Sequence, residues 1–173
     1  MTRTAQPGDL LCTRGHGFGS LMIRVGAGLR DRPNLVNHVA VVHHTDPNGV
    51  CWVLEGRPGG VGWRQASDYL ASRWTVINGR QPKTDAQRKT VTAGALALIG
   101  TSYDWEAIAG DAAQAFGLKG LWQPKFGTVP GHVVCSSLAA YLYTKAGLPC
   151  PQGGRQVTPA DWLAFIISGG YGT

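Results

Sequence analysis

Two β-branched runs, LVNHVAVVHH at 35–44 and VCWVLEG at 50–56, flank the turn sequence TDPNG. This pair restricts the fold more than any other part of the chain, because alternating runs around such a turn define an antiparallel hairpin. A type I turn with Pro47 at its second position sets opposite residues at numbers that sum to 95. Any odd sum places His38 and Glu55 on the same face, and a one-residue slip would part them.

The neighbouring segments extend the sheet. GDLLCTR enters from a Pro-Gly turn, PGGVGW follows a Gly-rich corner, and RWTVING occupies 73–79. Together they predict an antiparallel meander. After residue 80 the apolar period lengthens. A helix is expected from Asp85, read as its N-cap, to Ile99, with Val91, Ala95, Leu98 and Ile99 on one side and Gly100 as the C-cap. YDWEAIAGDAAQAFG suggests another helix, and the apolar, Gly-broken GSLMIRVGAGL at 19–29 a short one. TPADWLAFII reads as the last: Thr158 caps it, Pro159 opens it and Asp161 lies in its first turn. Strands first and helices later give an α+β class, and 173 residues without a repeat or linker fit one domain, 1–173.

Composition narrows the chemistry. The formal charge of +6 suits an anionic partner such as a cell-wall polymer, lipid or nucleic acid. Lys and Arg are scattered, however, and no nucleic-acid motif appears, so nucleic acid is not expected. Cysteines stand at 12, 51, 135 and 150 without CxxC spacing, which signals neither a zinc site nor a disulfide framework; no metal or cofactor is expected. The N-terminus has no apolar signal-peptide core and no run reaches membrane-spanning length. The expectation is a chain made in a reducing cytosol, or delivered by a route it does not encode, such as a phage particle.

GHVVCSSLAAYLY, 131–143, carries the sharpest chemical signal. Val134, Leu138, Tyr141 and Leu142 recur at near-helical spacing, which puts Cys135 at a helix N-terminus. Unpaired N–H groups and the positive dipole end favour a thiolate there, although a cysteine taken alone also fits a small buried hydrophobe. A nucleophilic cysteine needs an imidazole partner and a group to orient it. Of five histidines, His43 and His44 fall beside the turn and read as exposed, His16 lies in a Gly-rich loop, and His132 precedes Cys135 by three residues. His38, opening the strand HVAVV, is the candidate base, and Glu55 the candidate third member, with Arg57 as a competing partner for its carboxylate.

The ordered set GDLL, NHVAVV, VLEG and, much later, VVCSSLAAYLY resembles the circularly permuted branch of the NlpC-type, papain-like hydrolases, which also includes the lecithin:retinol acyltransferase-like proteins. The resemblance runs from about Gly8 to Trp162. It implies an antiparallel sheet or half-barrel packed against a helical layer that holds the nucleophile helix. It also implies Cys135 as nucleophile, His38 as base and Glu55 as third polar residue. GTSYDW resembles the Gly-x-x-Tyr-x-Trp motif of these enzymes, in which Tyr103 would face the site and donate to the oxyanion. Val134 departs from the acidic residue that precedes the cysteine in secreted cell-wall peptidases of this kind.

The implied activity is a cysteine hydrolase acting through an acyl-enzyme, first on an amide bond of a cell-wall peptide. The alternatives are a lipid or N-acyl amine deacylase or acyltransferase, with GSLMIRVGAGL lining an acyl tunnel, and a binding or virion-assembly module on the same fold that performs no reaction.

Overall fold

The computed structural model describes residues 5–14, 35–70, 76–77, 83–104, 132–151 and 157–168. The segments 19–29 and most of 103–117, read above as helices, and the loop holding His16 lie outside them.

The hairpin forms. Strand β2, His38–Thr45, pairs antiparallel with β3, Cys51–Arg57. The turn keeps Pro47 at its second position, with the Gly49 N–H donating to the Asp46 carbonyl at 2.9 Å. Asp46 organises it further: its carboxylate accepts from the Asn48 N–H at 2.9 Å, the Val50 N–H at 3.0 Å and Trp52 Nε1 at 3.2 Å. Those bonds hold this exposed carboxyl below its ordinary range, the Val50 bond first. Gly49 closes the turn with φ 83°, a conformation that costs glycine little. That extra residue sets Thr45 opposite Cys51, a sum of 96; a bulge between Val42 and His44 then restores Val42 opposite Val53 and Val41 opposite Leu54. The two irregularities cancel before the strands reach His38 and Glu55.

Strand β1, Leu10–Thr13, lies on the other side of β2, and β4, Gly60–Gln65, beyond β3. This much is a meander. The expected continuation fails at β5, Val76–Ile77, which crosses back to pair with β1, so the order is β4-β3-β2-β1-β5. A short helix α1, Ser67–Leu70, follows β4.

One face of the sheet carries Leu10, Cys12, Val39, Val41 and Leu54 into the main core. There they meet α2, Asp85–Ala97, α3, Cys135–Lys145, and α4, Pro159–Ile167. The opposite face gathers Leu11, Ala40, Val42, Val53 and Ala66 into a second, smaller cluster against which Tyr69 packs. Helix α2 is capped one residue earlier than expected: Thr84, not Asp85, is the N-cap and forms a reciprocal capping box with Gln87. It stops at Ala97 with Leu98 as C-cap, and Ile99 is left exposed. A Cβ at Gly94 would stand 2.7 Å from Leu142 Cδ2, so this glycine sets how closely α2 and α3 approach. Thr158, Pro159 and Asp161 open α4 in the expected roles.

Asp9 of GDLL is buried and bonded to Lys83 Nζ at 2.8 Å and Arg88 at 3.3 Å. Beside it the Tyr143 hydroxyl donates to the Gly8 carbonyl at 2.9 Å. These contacts tie the entry of β1 to α2 and α3. Among the described residues no helix is long and apolar enough to cross a membrane.

Candidate active site

The β2–β3 ladder does not run to the end of the strands. Pairing stops at Val41 and Leu54; beyond it His38–Ala40 pair with β1, and Glu55–Arg57 pair with β4. The sheet is therefore split at this end. Helix α3 starts at the split: the position a Gly56 Cβ would take is 3.3 Å from the Cys135 nitrogen and 3.4 Å from the Val134 carbonyl carbon. A side chain here would press on backbone atoms and make the helix start give by a few tenths of an ångström.

The split also frees a donor. Val42 N–H donates to Asp9 on the β1 side at 2.8 Å. Three residues away, Val39 N–H points to the opposite edge, where β3 would otherwise take it. Both this N–H and the Ser136 N–H of the helix's first turn favour the thiolate form of Cys135. The cap residue of α3 is Val134, which has no acceptor in its side chain. Ser137 compensates by turning back, its Oγ accepting from the Val134 N–H and donating to the Val134 carbonyl, both at 3.0 Å. Trp162 of α4, fully buried, donates from Nε1 to the Ser136 carbonyl at 3.2 Å and fixes that turn from behind.

His38 completes the arrangement. Its Nε2 donates to Glu55 Oε2 at 2.7 Å, and the ring is coupled electrostatically to Cys135. Burial alone would raise the Cys135 thiol; the adjacent imidazolium and the Val39 and Ser136 N–H groups outweigh it and bring the thiol below its ordinary range. Burial would likewise lower His38, but the thiolate and Glu55 raise it to about 10. Cys12 supplies the contrast within the same core: burial, and then the charge of Cys135, push it up to about 12. Two buried thiols thus differ because only one has an imidazole and backbone donors.

Glu55 is 1% exposed, and its environment explains how it stays ionised. Against the cost of burial, His38, the Tyr69 hydroxyl and Arg64 lower its carboxyl below the ordinary value. Tyr69 of α1 donates to Oε2 at 2.5 Å, and Arg64 of β4 to Oε1 at 3.4 Å. Arg57 stands 4.0 Å from Oε1 and does not take the carboxylate away from His38. Tyr69 and Arg64 were missed from sequence alone. Arg64 carried a signal, since it lies opposite Val53 and so shares the Glu55 face; Tyr69 carried none, because the α1 turn that aims it was not foreseen.

Tyr103 lies in β6, Ser102–Tyr103, paired in parallel with β7, His132–Val133. It stands opposite Val133, which precedes the nucleophile candidate by two positions in the sequence. Burial, then the charges of Cys135, Asp104 and Glu55, raise its phenol well above the ordinary range, so it is a neutral potential donor. The Val61 N–H bond to the Thr101 carbonyl at 2.9 Å ties this strand to β4. The His132 side chain lies outside the described residues. His43 and His44 are half-buried, not exposed: their rings stand 4.9 and 5.7 Å from that of Trp63, away from the split. Among the described residues no group of three or more His, Cys, Asp or Glu is placed to hold a metal ion.

No protein-family model matches this chain, and no curated protein is significantly similar to it.

Proposed function

We propose that this chain is a cysteine hydrolase of permuted papain-like architecture, with Cys135 as nucleophile, His38 as base and Glu55 as the residue that orients His38. The observation that carries the reading is the single imidazole held between a buried thiol at a helix start and an ionised carboxylate 2.7 Å away. The Cys135 thiolate attacks a carbonyl carbon and forms a tetrahedral intermediate. N–H groups at the start of α3, with the Tyr103 hydroxyl, stabilise its oxyanion. His38 gives its proton to the departing nitrogen, leaving an acyl-enzyme. Neutral His38 then takes a proton from water, whose oxygen attacks the acyl carbon, and the thiolate leaves. Glu55 stays ionised throughout and keeps the ring turned towards Cys135.

The substrate class in this proposal is an amide of a cell-wall peptide, which the net charge of +6 would favour near an anionic wall. The test is iodoacetamide alkylation of Cys135 from about pH 4 to 10, located by peptide mapping, followed by hydrolysis assays on wall peptides and N-acyl lipids. Fast labelling well below the ordinary thiol range, abolished by His38→Ala, is the expected result. Labelling with an ordinary thiol profile would refute the nucleophile assignment. Cleavage of acyl lipids but not of wall peptides would refute the substrate.

A further inference from the structure

The Glu55 carboxylate divides its two oxygens between different neighbours. Oε2 takes His38 at 2.7 Å and the Tyr69 hydroxyl at 2.5 Å; Oε1 takes Arg64 at 3.4 Å and has Arg57 at 4.0 Å. The Tyr69 ring packs on the second core cluster with its centroid 5.7 Å from that of His38. Tyrosine and histidine thus share one acceptor atom, and the phenol reaches it from the short helix α1.

This geometry has a chemical consequence. A buried carboxylate next to an imidazolium can accept the ring proton and leave a neutral pair, because burial disfavours charge. The short phenol bond stabilises negative charge on the same oxygen and opposes that transfer. It also removes Oε2's freedom to swing away from Nε2. We infer that Tyr69 is a positioning residue for the proposed reaction: by donating to Glu55 Oε2 it keeps the proton on His38 and so keeps Cys135 a thiolate. The inference rests on the nucleophile reading above. The neighbouring charges agree with it, since burial and the Glu55 bond raise the Tyr69 phenol above its ordinary range, so it holds its proton while donating. Facing it are Glu55, Arg57 and Arg64 from β3 and β4 and His38 from β2.

The experiment compares the pH profile of Cys135 alkylation in wild type, Tyr69→Phe and Tyr69→Leu, with thermal midpoints for each. Tyr69→Phe is expected to move the acid limb up by about one pH unit, roughly a tenfold loss of rate below it, the size of one hydrogen bond to a charged group. On a cleavable substrate kcat falls and KM holds. Tyr69→Leu shows the same limb shift and in addition loses stability, which separates the hydroxyl from the ring. An activated wild-type profile that Tyr69→Phe leaves unmoved overturns the role of Tyr69 alone. An ordinary thiol profile in the wild type overturns the nucleophile reading and this inference with it. Ultraviolet titration of the phenols gives a check that does not require the Tyr69 variants to fold: Glu55→Gln should let Tyr69, which loses a hydrogen bond and a charge, ionise at lower pH by more than Tyr103, which loses a charge alone, and an unchanged titration contradicts the Tyr69–Glu55 coupling.

Discussion

Replacing Gly56 by alanine tests whether close backbone approach sets the position of the thiol. The added methyl would lie 3.3 Å from the Cys135 nitrogen, 3.4 Å from the Val134 carbonyl carbon and 3.6 Å from the Cys135 Cα. All three are backbone atoms, so no rotamer change relieves the crowding; the helix start must back away by a few tenths of an ångström. Overpacking of this kind costs about 1–3 kcal/mol, and alanine recovers roughly 0.5–1 kcal/mol of the entropy that a strand glycine loses. The net loss is about 0.5–2 kcal/mol, or a fall of roughly 1–8 °C in thermal midpoint for a chain of this size. Reactivity should suffer separately. If a displacement of about 1 Å costs on the order of a hundredfold, a third of it costs about fivefold on a logarithmic scale. The assay is Cys135 alkylation near neutral pH beside calorimetry, with Gly62→Ala as control. There the new methyl would meet only the Arg57 guanidinium at 3.7 Å, an ordinary contact, and the variant should be neutral or more stable by up to about 1 kcal/mol. Wild-type reactivity and an undiminished midpoint in Gly56→Ala would refute the claim that this glycine admits the helix start.

Two further outcomes follow from buried charge. Glu55 titrates below its ordinary value of 4.5 in the folded chain, so on acidification the unfolded chain takes up the proton first. Its contribution to stability is therefore complete above about pH 4.5 and is lost as pH falls through the folded value; urea midpoints measured on acidification should drop more steeply for wild type than for Glu55→Gln. Asp9→Asn removes the carboxylate partner of Lys83, whose side chain is 0% exposed, and should cost about 3–5 kcal/mol, read as a lower urea midpoint with an unchanged slope.

The parts of the site carried by local pattern were readable from sequence. The β-branched runs and the DPNG turn brought His38 and Glu55 to one face, and the apolar spacing after Cys135 put it in the first turn of a helix. The route to the first result was incomplete, because the αL residue Gly49 and the bulge at His43 each shift the register and cancel. What escaped depends on distant partners. Strand β5 follows β4 in sequence but pairs with β1, and two short strands in succession do not say which edge the second will join. Lys83 meets Asp9 across 74 positions, a separation that no periodicity reports. The half-buried state of His43 and His44 comes from Trp63, two strands away.

The split between β2 and β3 bears on when the chain would acquire the reactivity proposed for it. Val39 N–H and His38 belong to the first quarter of the sequence and Cys135 to the last, and the thiol meets them only after α3 has docked into the opened sheet. Such a contact closes a long loop and forms late relative to the local hairpin. During synthesis, with N-terminal segments emerging first, Cys135 leaves the ribosome as an ordinary thiol, mostly protonated at neutral pH. On the proposed reading, the nucleophilicity of Cys135 is a product of completed folding, and a change that loosens the seating of α3 would return the cysteine to an ordinary thiol.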